Sequence, residues 1–258
     1  MDEPLLEVCG LQKRFLSRGA EIRAVDGVSF SIGRGELFGL VGESGSGKST
    51  VARCAAGLYR PDGGEIRLAG SFQMIFQDAS GSLNPRMTAE ELICEPLEIL
   101  RRGGRAERRK KARELLGLVG LGEELAGCYP GDLSGGQQQR IAVARALAPD
   151  PDLLLADEPA ASLDMSVRAQ ILNLFLRLRR ERGMSVLLIS HDLAAVRRVC
   201  GRIGVMKAGR LVELGETAEV CGHPRHPYTR ALLEAASSPD FAFAGGRGSV
   251  EPGSGNAG

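Results

Sequence analysis

The chain opens with short apolar runs cut by turns. Leu5 to Leu11 and Val25 to Ile32 predict strands; in the second, Val28, Phe30 and Ile32 alternate with Ser29 and Ser31, the period of a strand with one face buried. Gly33-Arg34-Gly35 predicts a turn, and Leu37 to Val41 is a continuous apolar run entering a glycine-rich stretch. Lys48 to Leu58 then carries the alanines and leucines of a helix that must stop before Pro61.

From Thr88 to Ala148 the pattern turns helical, dominated by Glu, Arg, Leu and Ala, and predicts an inserted helical unit. Strand runs return at Leu153 to Ala156 and Ser185 to Ser190, with an amphipathic helix near Val167 to Arg180 between them. That βαβ rhythm implies an α/β fold with a parallel sheet and right-handed crossovers. Ile203 to Lys207 and Arg210 to Leu214 flank Ala208-Gly209 as a hairpin. Phe241 to Gly258, rich in Gly, Ser and Ala, predicts disorder.

Composition narrows the function classes. The 258 residues suit one compound domain, and 33 Lys and Arg against 32 Asp and Glu leave no global field for nucleic acid or an anionic membrane. Arg101 to Arg113 concentrates eight basic residues: Arg101, Arg102, Arg105, Arg108, Arg109, Lys110, Lys111 and Arg113. Without interleaved aromatics for base stacking, a solvated helix face accounts for them better than a nucleic-acid or headgroup surface. The six cysteines are scattered, as expected of reduced thiols in a cytosol. No run approaches the ~20 apolar residues of a membrane span, and Met1-Asp2-Glu3-Pro4 lacks a signal-peptide pattern. A cytoplasmic protein is expected, one that docks at a membrane if it works there.

Three segments carry chemistry. Gly42-Glu43-Ser44-Gly45-Ser46-Gly47-Lys48-Ser49, followed by Thr50, fits G-x-x-x-x-G-K-[ST] in its strand-to-helix context. Glycines let backbone N–H groups close on phosphates, Lys48 should reach the β and γ phosphates, and the Ser49 hydroxyl should ligate Mg²⁺. Leu153 to Ala156 ends in Asp157 and Glu158, two carboxylates at the C-terminal end of an apolar strand; Asp157 suits the Mg²⁺ shell, and Glu158, on the other side, the polarising of a water. Ser134-Gly135-Gly136-Gln137 opens a helix with a capping box. Two glycines in a first turn weaken a helix by ~1 kcal/mol each, which makes sense where an anion approaches the backbone.

Two anion-binding helix starts in one chain resemble the ATP-binding cassette (ABC) proteins: Leu133-Ser134-Gly135-Gly136-Gln137 is similar to their signature sequence, upstream of Asp157-Glu158-Pro159. The resemblance implies a P-loop NTPase with a RecA-like parallel-sheet core, an N-terminal antiparallel β subdomain and an inserted α-helical subdomain. It divides the chain into an ATPase domain at 1–235 and a tail at 236–258. Within the domain it implies a core from 1–78 and 150–215, a helical subdomain near 79–149 and a family segment at 216–235. It further implies Phe15 stacking on adenine, Gln77 contacting the metal, Ala161-Ser162-Leu163-Asp164 crossing between subunits, and His191 at the γ-phosphate.

Within that family, Phe76-Gln77-Asp78 with Ser82-Leu83-Asn84-Pro85-Arg86, Ser166-Val167-Arg168-Ala169-Gln170, and His226-Pro227-Tyr228-Thr229-Arg230-Ala231-Leu232-Leu233 resemble the ATPases of oligopeptide, dipeptide and nickel importers. The implied assembly has two transmembrane permeases docking near Gln77 to Pro96, a second identical or paralogous ATPase, and an extracellular solute-binding protein. Mg-ATP lies between the phosphate loop of one ATPase and the Ser134 helix start of the other. Gly70 runs almost directly into a strand at Ser71 to Phe76, where relatives carry a longer connection. No cysteine follows Cys221, so no iron–sulfur site is assigned, and His223 and His226 with Cys221 are taken as structural rather than metal-binding. Two alternatives are a soluble ABC-type ATPase acting on nucleic acid or ribosomes, favoured only by the basic run, and a regulatory subunit that binds ATP without hydrolysing it.

Overall fold

A computed structural model describes residues 3–17, 20–160 and 163–237, so the tail expected to be disordered lies outside the described residues. Strand β1 (Leu6–Ser17) pairs antiparallel with β2 (Ala20–Ile32) and with β4 (Gly63–Leu68), giving a sheet of order β2-β1-β4. The first two strands run well past the apolar runs that predicted them. Their outer halves are polar and held by the ladder itself, helped by Arg14 pairing with Glu21 at 3.2 Å. No expected element corresponded to β4, an edge strand with Glu65 and Arg67 exposed.

The second sheet has the order β5-β6-β7-β3-β8-β9, from β3 (Leu37–Val41), β5 (Phe72–Ile75), β6 (Leu153–Asp157), β7 (Ser185–Ser190), β8 (Arg202–Lys207) and β9 (Arg210–Glu216). All pairings are parallel except that of β8 with β9, the predicted hairpin. Both faces are buried. Along β6, Leu153 and Leu155 join a core shared with the antiparallel sheet and α1 (Lys48–Ala55), while Leu154 and Ala156 join the core beneath the other helices. This is why these strands are continuous apolar runs rather than alternating ones. Phe38 of β3 stacks on Phe30 of β2, centroids 5.1 Å apart, and locks the two sheets together.

Between β5 and β6 the described chain is helical: α2 (Ala79–Ser82), α3 (Ala89–Ile99), α4 (Arg105–Leu118) and α5 (Gly135–Leu147), with short 3-10 turns between the last two. Thr88 caps α3 and Glu91 returns the bond, a complete capping box. After β6 come α6 (Met165–Arg182), α7 (Leu193–Val199), α8 (Thr217–Gly222) and α9 (Pro227–Ser237). Helix α1 stops three residues before the predicted Leu58 because Gly57 turns into the left-handed region and Leu58 faces solvent.

Candidate functional site

The strand order brings sequence-distant residues to one edge. The segments that leave the C-terminal ends of β3, β6 and β7 carry Gly42 to Thr50, Asp157 with Glu158, and His191, and Gln77 follows β5 on the outer flank. In open α/β sheets this is the edge where ligands bind.

The Gly42 to Ser49 loop is tight at Gly42 and Gly47, where neighbouring backbone leaves no space for a side chain. A Cβ on Gly42, at φ +149°, would lie 2.2 Å from the Met206 carbonyl oxygen, and one on Gly47, at φ +103°, 2.2 Å from that of Ala24. Gly209 N–H donates to Ser46 O at 3.0 Å, bracing the loop from the β8-β9 hairpin. The buried Lys48 ammonium sits at the centre, donating to Gly42 O at 2.7 Å, Glu43 O at 2.8 Å and Ser46 Oγ at 3.2 Å. Burial lowers its pKa, and the Glu158 and Asp157 carboxylates oppose that shift.

Asp157 and Glu158 separate as their alternation requires. Asp157 continues the β6 face that looks toward α1, is fully buried, and accepts the Ser49 hydroxyl on Oδ1 at 2.8 Å. Its Oδ2 is buried with no partner. Burial pushes the carboxyl up from its ordinary range, and the Ser49 bond only partly offsets this. Glu158 adopts φ +52°, a left-handed conformation that costs a non-glycine residue about 1–2 kcal/mol. The turn sends its side chain away from α1, where it accepts the His191 N–H at 3.1 Å and lies 2.9 Å from His191 Nδ1.

The orphaned Asp157 oxygen beside the Ser49 hydroxyl is a pair of hard oxygen donors at the mouth of an anion cradle. Those residues fit a magnesium-bound phosphate chain. Gln77 is exposed beyond β5. Phe15 lies on β1 of the antiparallel sheet, half-buried, with Tyr59 edge-on at 5.3 Å and the Lys13 ammonium 5.4 Å from its ring.

The Ser134 helix start is a separate feature. Ser134 and Gly135 are exposed; Ser134 Oγ accepts from Gln137 N–H at 3.3 Å, and Ser134 N–H donates to Gln137 Oε1 at 2.9 Å, the predicted capping box. A Cβ on Gly135 would meet nothing within 4 Å. Among the described residues, no hydrogen bond joins this segment to the Gly42 to Thr50 loop. Ala161 and Ser162 lie outside the described residues, while Asp164 caps α6 by accepting from Ser166 and Val167 N–H groups at 3.0 and 2.9 Å.

Two contacts at this edge went unassigned from sequence. Arg168 of α6 donates to Asp192 Oδ2 at 2.9 Å, tying that helix to the residue after His191. Tyr228 of α9 reaches the loop at Glu43. Both lie in motifs legible in the sequence, but only folding gives them partners. His226 uses Nδ1 to accept Tyr228 N–H at 3.1 Å, and no cluster of three or more metal-binding side chains occurs among the described residues.

Residues 25–161 match the family model described as ABC transporter, and residues 212–250 match that of the oligopeptide/dipeptide transporter C-terminal region. The oligopeptide transport ATP-binding protein OppF of Bacillus subtilis is 45% identical, over 93% of this chain and 85% of that protein. A putative peptide import ATP-binding protein of Brucella ovis is 44% identical, over 93% of this chain and 80% of its own length. Among solved structures, the dimeric post-hydrolysis state of the ATP-binding cassette MJ0796 bound to ADP and Pi has a TM-score of 0.78 and 32% identity, covering 82% of this chain and 98% of that one.

Proposed function

Because the chain belongs to the ABC transporter family, we propose that it is the ATP-binding and ATP-hydrolysing subunit of a peptide importer. The observation that carries the chemistry is the Ser49 hydroxyl on Asp157, beside an unpartnered carboxylate oxygen and a glycine cradle centred on Lys48. Peptide transport is supported by the names of the relatives and by the matched C-terminal region; nickel has no such support.

In this reading the loop from Gly42 to Thr50 cradles the phosphates, and Lys48 exchanges its loop carbonyls for phosphate oxygens. Ser49, Asp157 and Gln77 would hold Mg²⁺, which would supply charge neutralisation for the phosphates. Glu158 accepts a proton from the attacking water, and His191, 2.9 Å away through Nδ1, orients that carboxylate and contacts the γ-phosphate. Phe15 packs on the adenine. Ser134, Gly135, Gly136 and Gln137 serve the nucleotide of a second ATPase subunit; the exposure of Ser134 and Gly135 and the dimeric state of the MJ0796 cassette support this. Closure of two such subunits excludes water from the site.

No helix among the described residues is long and apolar enough to cross a membrane, so transport calls for separate permeases. A cavity of about 400 Å³ between β5 and helices α3 and α5, with Phe76, Glu95, Pro96, Ile99 and Leu100 on its walls, suits an apolar permease segment. The chain would then sit on the cytoplasmic face of the membrane, within a system that includes a solute-binding protein. The basic run carries its own counter-charges: Arg108 pairs with Glu98, Arg109 and Arg113 with Glu90, and Lys111 with Asp150, which supports a helix surface over a nucleic-acid site. Affinity purification from membranes tests the reading. Recovery with two integral membrane proteins, and ATP hydrolysis stimulated by peptide with its binding protein, is expected; ATP hydrolysis stimulated by RNA in the absence of permeases would favour the soluble alternative.

A further inference from the structure

The segment from His226 to Leu233 takes no part in the roles above, yet its tyrosine ends at the phosphate loop. Glu213 of β9 holds the start of α9 by accepting the N–H groups of Arg225 at 2.9 Å and His226 at 3.1 Å. Tyr228 follows in the first turn, buried, with the Lys207 ammonium 4.7 Å from its ring centroid. Its hydroxyl accepts the Glu43 N–H at 3.0 Å. That N–H belongs to the Gly42–Glu43 peptide, whose carbonyl at the other end takes the Lys48 ammonium at 2.7 Å. A trans peptide is planar, with its N–H and C=O pointing in opposite directions, so fixing one end orients the other.

We propose that Tyr228 is a positioning residue for the phosphate loop: by holding the Gly42–Glu43 peptide from outside, the C-terminal segment sets the carbonyl that parks Lys48 and so presets the loop for a triphosphate. This rests on the ATPase reading above. The effect falls on nucleotide affinity rather than on turnover, because among the described residues the Tyr228 hydroxyl bonds to Glu43 on the outer side of the loop, apart from the Glu158–His191 pair.

Tyr228→Phe keeps the ring, its packing and its contact with Lys207, and removes only the hydroxyl, with its bonds to the Glu43 N–H and side chain. The full-length chain is titrated with a fluorescent N-methylanthraniloyl ATP analogue and Mg²⁺, and the assembled transporter is assayed for ATP hydrolysis. Kd and KM are expected to rise together by about two- to tenfold, the scale of the lost hydrogen bond to the loop N–H, with kcat within about twofold of wild type. In a Glu43→Pro background, which lacks the donor, Tyr228→Phe should add nothing to the loss. A rise of less than about twofold in Kd overturns the proposal, as does an undiminished effect in the Glu43→Pro background. A fall in kcat that tracks a lowered Tm marks a merely structural tail and also overturns it. Absence of ATP binding by the wild-type chain overturns both this inference and the ATPase reading.

Discussion

Asp157→Asn should make the free protein more stable while removing its response to Mg-ATP. Asp157 is fully buried, one oxygen accepts the Ser49 hydroxyl, and the other has no partner. Burial raises its pKa above the ordinary 3.8. The folded chain therefore binds more protons than the unfolded chain between 3.8 and the raised value, so stability falls as pH rises through that window, and the penalty is complete above it. Asparagine keeps the acceptor for Ser49 and exchanges an orphaned charged oxygen for an orphaned neutral amide. The amide costs about 1–3 kcal/mol, against several for a buried charge that the Ser49 hydroxyl, Arg53 and Lys48 offset only in part. A net gain on the order of 1 kcal/mol follows, or about 2–4 °C in Tm for a chain of this size. Thermal unfolding at pH 7.5 measures it twice, with a chelator and with Mg-ATP. Ligand at a hundred times its Kd should add about 2.7 kcal/mol to the wild type. Little of that should reach the variant, so the order of the two melting temperatures reverses between conditions. A variant that melts below wild type in chelator, or that keeps the full rise with Mg-ATP, refutes the reasoning.

Glu158→Gln should leave ATP binding intact and slow hydrolysis by on the order of 10²-fold or more, read as single-turnover phosphate release; unchanged turnover removes Glu158 from the role of base. Ser134→Arg fills the exposed helix start with a bulky cation, so the Glu158→Gln, Ser134→Arg double variant should bind ATP yet elute as a monomer in size exclusion with ATP, where Glu158→Gln alone elutes as a dimer. Gly47→Ala places a methyl 2.2 Å from the Ala24 carbonyl at φ +103°. It should lower ATP affinity by at least about tenfold, measured by titration, since the loop must shift to admit it.

Much of this site is legible because its chemistry is written in short strings. Leu37 to Ser49 and Leu153 to Glu158 each contain a strand end and the groups it presents, so local pattern and local geometry coincide. The antiparallel sheet was only half legible. Its inner halves follow apolar alternation, whereas the outer halves of β1 and β2, and the whole of β4, are polar strands defined by their ladder partners. Tyr228 and Glu43 are 185 positions apart, and His191 and Glu158 are 33 apart, so neither pairing follows from spacing. The positive φ of Glu158 was equally hidden, since nothing about a glutamate in sequence announces a left-handed turn.

The placement of β3 between β7 and β8 has a consequence for biogenesis. Leu37 to Val41 is made early, yet both of its flanking strands lie beyond residue 184. At ordinary rates of synthesis the ribosome needs roughly 7–30 s to travel from residue 41 to residue 190. Throughout that interval four apolar residues and a glycine, all buried in the finished fold, have no lateral partner. Truncated or stalled nascent chains should therefore be strong clients of hydrophobic-segment chaperones until Ser190 has left the exit tunnel.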